Sequence, residues 1–518
     1  MSDTQNPIGK LANPGLSDTA RGLILAARDS MPVASHEAVD RALERLDDRL
    51  RIAIAGRLKA GKSTLLNAIL GEDVAPTGTA EVTSIVTWYR AGATPRVRVV
   101  KRDGQVSGVP IARVDASLAG NNARLDPKDV QRIDVEWPAP ALEKLTLVDT
   151  PGLASLSAGV SATSEAVLLP EDGPPDVDAV IYLLSHVHAT DADALAAFRS
   201  RGGAGIGPLT TLGVLSRADE VGGGRMDALI AAERIAERQR QDPAVRALCL
   251  DVVPVAGLLA ETARTLRQVE FDALVEFAAL DRSVREDLLL SAHRFASGRS
   301  PGRLLSDPAV KSGLLSRFGL FGLRLGVVLI RDGYDTASSL SDELVRRSGL
   351  EQMLTSLEHN FAARADALKA RHALSSVARL LALDESPSAR SHEEAIRREL
   401  QQSHQFRETV LLSELRACDR PELTPSELAQ AERILGGHGA TTEQRLAVTT
   451  DGSDHLSDER AGAVASELIA TWRAIENDPA RDQRVNLVAR AVVRSLEEIL
   501  SHLPAPLSAA PEGSPSPN

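Results

Sequence analysis

The sequence predicts an α/β head followed by a long all-α region, and three observations carry that prediction. From residue 51 to about 260, short apolar, β-prone runs alternate with helical stretches. That is the pattern of a mostly parallel sheet flanked by helices. Beyond 260 the strand signal fades into helical periodicity that runs to about 500. A glycine-rich loop, GRLKAGKS from Gly56 to Ser63, sits where the first run ends and a helical stretch begins.

The elements follow in order. Residues 17–30 and 36–49 have helical spacing, with Leu23, Leu25, Val39, Leu43 and Leu46 on apolar faces. RIAIAG (51–56) reads as the first strand, and further runs lie at 83–89, 96–100, 145–148, 179–184, 212–215 and 252–255. A Gly/Pro turn separates 83–90 from 96–102, so these two are expected to pair as an antiparallel hairpin. Long helical patterns cover 342–380, 392–417 and 457–500. The Pro-, Ser- and Ala-rich tail is expected to be disordered. The resulting division is N-terminal helices over 1–50, an α/β head over 51–260, a long helical region over 261–500, and a tail over 501–518.

Composition narrows the function classes. The chain has 518 residues, 43% hydrophobic and 25% charged, enough apolar surface for a sizeable core in more than one unit. Aromatics are only 3%, and helix formers dominate. A formal net charge of -12 argues against nucleic acid as a global partner. Cys249 and Cys418 stand far apart, outside any metal or disulfide pattern, which predicts a reducing, cytoplasmic setting. The N-terminal MSDTQNPIGK lacks the apolar core of a signal peptide. The most apolar stretch, 313–330, is interrupted by Arg317 and Arg324, so no membrane span is expected.

The loop fits G-x-x-x-x-G-K-[ST] in its required strand-to-helix context. Gly56 and Gly61 let the backbone through Lys59 and Ala60 turn its N–H groups toward phosphate oxygens. The helix that follows aims its positive end at the same anion. Lys62 brings a point charge to the β- and γ-phosphates, Ser63 offers a hard oxygen to Mg²⁺, and Thr64 reaches the α-phosphate. LTLVDTPG (145–152) is an apolar strand ending in Asp149, which is placed to hold Mg²⁺ through water, and Gly152, whose N–H faces the γ-phosphate. Between the two motifs, Thr83 follows a Gly-containing stretch, where a switch threonine joins the metal; Thr77, Thr79 and Thr87 compete for that role by position. In TLGVLSRADE (211–220), Ser216-Arg217-Ala218-Asp219 supplies a carboxylate able to accept both N–H groups of the guanine edge, with the flat Arg217 guanidinium over the base. VVPVAG (252–257) predicts a last loop in which Val255 and Ala256 back the base through main-chain groups.

The succession GRLKAGKSTLLNAILG, VAPTGTAEVT, LVDTPG, LSRAD and VVPVAGLLAETA resembles the bacterial dynamin-like GTPases, and in particular the actinobacterial isoniazid-inducible type. Pro76-Thr77-Gly78 with Thr83 matches that family's P-x-G-x₄-T switch and favours Thr83 over its neighbours. The likeness extends to SRFGLFGLRLGVVLIRDG and the segment after it, and beyond about 375 only helicity agrees. The resemblance implies a GTPase head with Mg²⁺ as cofactor, and a helical neck and stalk that meet anionic lipid at the inner face of the plasma membrane. It also implies homo-oligomers, or hetero-oligomers with a paralogous dynamin-like GTPase, that remodel the membrane. One departure stands out: where many dynamins carry Gln-Ser in the loop, this chain has Leu58 and Lys59. Leucine cannot position water. Lys59 is left to supply positive charge, with Lys62 and Thr83, and turnover is expected to be slow without a head-to-head partner. Two other classes stay open from the residues alone: a soluble regulatory or assembly GTPase, and a GTP-binding scaffold without turnover.

Four further features have bland readings. Arg364, Lys369, Arg371 and Arg379 could dock lipid, but a charged helix face is usually solvated. Phe318, Leu320, Phe321 and Leu323 could insert into a membrane, but apolar helix faces are usually core. His186 and His188 form an HxH with no third ligand nearby, and 153–175 is expected to be a switch or trans loop.

Overall fold

The computed structural model describes residues 15–57, 59–75, 85–109, 129–150, 177–184, 208–417, 420–447 and 458–503. Its contacts divide the chain into two compact units, one ending at Arg397 and the other beginning at Arg398.

The first unit is built on a nine-stranded sheet in the order β4-β3-β5-β2-β6-β1-β7-β8-β9. The strands are β1 Leu50–Gly56, β2 Thr87–Ala91, β3 Arg96–Lys101, β4 Val106–Val109, β5 Val130–Trp137, β6 Leu145–Asp149, β7 Ala179–Leu184, β8 Thr211–Ser216 and β9 Asp251–Val255. The pairings β6-β1-β7-β8-β9 and β2-β5 are parallel, and the rest are antiparallel. β1, β7 and β8 are buried almost throughout, as strands covered on both faces must be.

The expected hairpin does not form. β5 lies between β2 and β3, pairing parallel with the first and antiparallel with the second. The turn after Ala91 therefore carries the chain across β5, and Gly92 donates its N–H to the Trp137 carbonyl instead. From Ile133 on, β5 alternates buried Ile133, Val135 and Trp137 with more exposed residues, a period-two signal. A Gly/Pro turn sets only that the chain reverses; which strand fills the gap is set by burial of the apolar face of β5.

Each face has its own core. One side carries Leu65, Leu66 and Ile69 of helix Lys62–Leu70 with Leu350, Met353 and Leu357 of helix Leu350–Asn360. The other gathers Trp88, Tyr182 and Leu215 with helices Ala228–Gln241, Gln268–Ala279 and Pro308–Arg331. The last of these is long and apolar enough to span a bilayer by length and hydropathy. Within the unit, however, Phe318, Phe321 and Leu323 are buried, and Arg324 donates to the carbonyls of Gly224 and Leu289. That places the aromatic cluster in the core. The helix breaks at Gly319, whose φ of 59° and ψ of -178° suit glycine alone.

Helices Gly15–Arg28 and Val33–Asp47 pack on helix Ala365–Ala382. Of the basic set, Arg379 is exposed, while Lys369 and Arg371 on this last helix are half-buried. Lys369 donates to the Leu46 and Asp48 carbonyls at 2.9 and 3.2 Å, capping the preceding helix, and burial holds Arg371 below its usual range. Arg45 joins the same layer to the sheet through a buried 2.8 Å pair with Asp178.

The helical pattern of 342–380 is cut at Gly349, which stands at φ 81° between helices Ala337–Arg347 and Leu350–Asn360. In the second unit, helices Asp458–Glu476 and Gln483–His502 form a helical hairpin. Buried Trp472 donates Nε1–H to Gln430 at 2.6 Å. Buried Glu408 accepts from Arg445 at 2.8 Å and from Ser495 at 2.6 Å. Cys249 is buried and donates its Sγ–H to the Val245 carbonyl at 3.4 Å, and Cys418 lies outside the described residues.

Candidate functional site

The site forms where the carboxyl ends of β1, β6, β8 and β9 meet the N-terminus of helix Lys62–Leu70. This is the edge at which open α/β sheets bind ligands. Gly56 ends β1 at φ 152° with the Leu183 carbonyl oxygen 3.1 Å from where a Cβ would stand, so the close strand crossing requires glycine. Gly61, at φ 94°, opens the helix with nothing within 4 Å of an added Cβ, so space is left for a ligand over the first turn. The N–H groups of that turn have no partner within the helix.

Lys62 is buried and curls back over the loop, with Nζ 3.5 Å from the Gly56 carbonyl and 3.4 Å from that of Arg57. Burial lowers its pKa, and the nearby Asp149 opposes this. Asp149 is buried at the end of β6. Burial pushes its carboxyl up to about 6 against the pull of Lys62. Its Oδ1 has no hydrogen-bond partner among the described residues. Thr150 fixes the strand end by donating its hydroxyl to the Ile54 carbonyl at 2.9 Å. An orphaned buried carboxylate oxygen beside a lysine and a helix N-terminus fits a hydrated divalent cation next to a polyphosphate. Ser63 and Asp149 are the described residues that would hold Mg²⁺, which when bound neutralises charge across the β- and γ-phosphates.

Beside this cradle lies a cleft of about 170 Å³ whose lining includes Ala60, Thr64, Ser216, Arg217, Asp219 and Val255. Burial raises the Asp219 pKa, the cost of holding a carboxylate where it can accept two N–H groups from a flat base. Two residues of the cleft also tie its loops together. Arg217, in the left-handed region at φ 55°, donates Nη2–H to the Lys59 carbonyl at 2.9 Å and pairs with Glu220. It thus bridges the loop after β8 to the phosphate loop, where Lys59 is itself left-handed at φ 62°. Ser216 donates its hydroxyl to the Leu184 carbonyl at 3.1 Å, which sets the loop against β7. Ala256 is absent from the lining: its N–H is taken by the Ser348 carbonyl at 2.8 Å, and Val255 and Gly257 face the cleft in its place.

Leu65, Leu183, Val214, Glu220 and Leu258 also line the cleft and were missed from the sequence. Strand order would have pointed to Leu183, which pairs with Gly56 across β1 and β7. Leu58, Thr83, Gly152, the HxH pair and 153–175 lie outside the described residues.

The phosphate loop, the buried Asp149 and, beside them, the cleft lined by Asp219 lie together at the carboxyl ends of the strands, the arrangement of a P-loop nucleotide site. The chain belongs to the bacterial dynamin-like GTPase family, and the Dynamin family model matches its residues 52–197. Within that family it is similar to the isoniazid-induced protein IniC of Mycobacterium tuberculosis, at 40% identity over 467 residues, 90% of this chain and 93% of that protein. It is also similar to the isoniazid-induced protein IniA of the same organism, at 34% identity over 149 residues, 26% of this chain and 23% of that protein. A solved bacterial dynamin, from an oligomerised pair described as sensing and tethering membranes over long range, superposes with a TM-score of 0.32 at 14% identity. That superposition spans 96% of this chain and 91% of the other, and is too loose to bear on function.

Proposed function

We propose that this chain binds GTP with Mg²⁺, hydrolyses it, and uses the cycle to associate with and remodel the inner face of the cytoplasmic membrane through head-to-head assembly. The observation that carries the nucleotide part is the convergence of Lys62, Asp149 and Asp219 on one strand-end edge beside the cleft. Gly61, Lys62, Ser63 and Thr64 hold the phosphates, Thr83 and Gly152 complete the metal and γ-phosphate contacts, and Asp219 selects guanine. Lys59, held by Arg217, carries positive charge toward the phosphates. Leu58 offers the attacking water no hydrogen bond, so turnover by a lone head is slow and rises when heads meet. The membrane part is supported by family membership and by the long helical region. Likeness to two isoniazid-induced proteins of one organism supports a paralogous partner.

GTP turnover measured against protein concentration, with and without anionic liposomes and with Lys62→Ala as blank, tests this. Specific activity is expected to rise with both concentration and lipid. A rate that is flat in both keeps the GTPase but moves the reading to a soluble switch.

A further inference from the structure

One helical turn below the cleft, a second polar cluster joins the same two helices that line it. Asn67, on the phosphate-binding helix, is fully buried and makes four hydrogen bonds. Its Oδ1 accepts from the N–H of Val74 and Ala75 at 3.0 and 2.7 Å. Its Nδ2 donates to the Ala75 carbonyl at 3.1 Å and to Glu261 Oε1 at 2.8 Å. Glu261 lies on helix Gly257–Arg264, which starts directly after the base loop. Arg264 of that helix reaches back to the Ala68 carbonyl at 3.2 Å, so the two helices are tied at two levels.

Arg317 connects this cluster to the long helix. It sits two residues before the break at Gly319. Its Nε pairs with Glu270 at 2.7 Å and its Nη2 donates to the Thr265 carbonyl at 2.8 Å. Nη1 lies 3.9 Å from Asp73, and Thr262 donates its hydroxyl to the Arg317 carbonyl. Arg317 therefore grips both ends of the segment that follows Glu261 while facing the turn that Asn67 holds.

We propose that Asn67, Glu261 and Arg317 are positioning residues for nucleotide binding, a relay that sets the spacing of the phosphate- and base-binding helices according to the state of the break at Gly319. The relay rests on the guanine-nucleotide reading of the cleft. It touches no part of a bound nucleotide, so it acts on affinity rather than on the chemical step. By reciprocity, a ligand that fixes the cleft steadies the break by the same factor.

The test uses the full chain, with labelled GDP for affinity, GTP turnover for rate, and hydrogen exchange for the relay. Glu261→Ala and Arg317→Lys are expected to weaken GDP by about 5- to 10-fold, at the lower end of ordinary coupling, while kcat at saturating GTP changes less than twofold. Glu261→Gln keeps the acceptor for Asn67 and is expected to recover affinity to within about twofold of wild type. GDP is expected to slow exchange at 317–322 in wild type but not in Glu261→Ala. Unchanged affinity in both folded variants, or kcat falling in step with affinity, overturns the relay. If the wild type binds neither GDP nor GTP, the guanine-nucleotide reading fails, and exchange in the nucleotide-free protein still decides. Glu261→Ala then either speeds exchange at both Val74–Ala75 and 317–322, as the relay requires, or at one of them only, which overturns it.

Discussion

Replacing Gly349 by alanine examines how the base loop is held in place. An added Cβ would stand 2.1 Å from the Pro254 carbonyl oxygen and 3.3 Å from its carbon, so backbone must move. The φ of 81° adds a conformational penalty. A left-handed residue with a Cβ costs about 1–2 kcal/mol, and overpacking adds about 1–3 kcal/mol, giving about 2–5 kcal/mol. Gly104→Ala is the control: its φ of 85° is nearly the same, but nothing lies within 4 Å of its Cβ. It is expected to lose only the conformational part, about 1–2 kcal/mol. Pro254 immediately precedes the cleft residue Val255, and Ser348 accepts from Ala256. Relief of the clash at Gly349 therefore displaces the base loop, and GDP affinity is expected to fall in Gly349→Ala but not in Gly104→Ala. Urea midpoints and a fluorescent GDP titration measure both. Equal stability loss in the two variants, or unchanged GDP affinity in Gly349→Ala, would refute the reasoning that the helix junction supports the base loop.

Other outcomes follow from single contacts. Asp219→Asn exchanges a two-acceptor carboxylate for an amide and is expected to weaken guanine nucleotides by about 1–3 kcal/mol, read as GDP Kd. Burial, reinforced by Asp73 and opposed by Asn67 and Arg317, carries the Glu261 carboxyl from 4.5 up to about 7. Glu270, paired with Arg317, is the next charge outward. Because the folded value is the higher one, the stability is complete below about 4.5 and is lost as pH rises through about 7. Urea midpoints from pH 5 to 8 should show a decline of at most about 3 kcal/mol that Glu261→Gln removes. In the second unit, burial pushes Glu408 up, yet Arg445 and His404 bring it net to about 2. Arg445→Met strips the main partner from a buried carboxylate and is expected to cost about 3–5 kcal/mol, seen as faster hydrogen exchange in helices 404–416 and 483–502.

Much of the site was legible because its chemistry is local. The phosphate loop needs glycines at fixed spacing, a lysine and a hydroxyl within eight residues; Asp149 ends one apolar strand run, and Asp219 stands three residues beyond another. Those constraints act over one turn of chain, so sequence spacing reports them. The division into strands and helices was legible for the same reason, since β1, β7, β8 and β9 are continuous apolar runs.

What the sequence determined, then, was the set of groups and the order of elements; what only the tertiary structure decided was who stands beside whom. The hairpin reading failed because β5, some 40 residues downstream of β2, takes the place between β2 and β3. Arg217 bridges to Lys59 across 158 residues, and Asn67 meets Glu261 across 194. Lys369 caps a helix more than 300 residues earlier. Such pairs leave no periodic trace in the chain. They arise because buried polar groups must find partners wherever packing brings the backbone together, and that choice is made by the whole core at once.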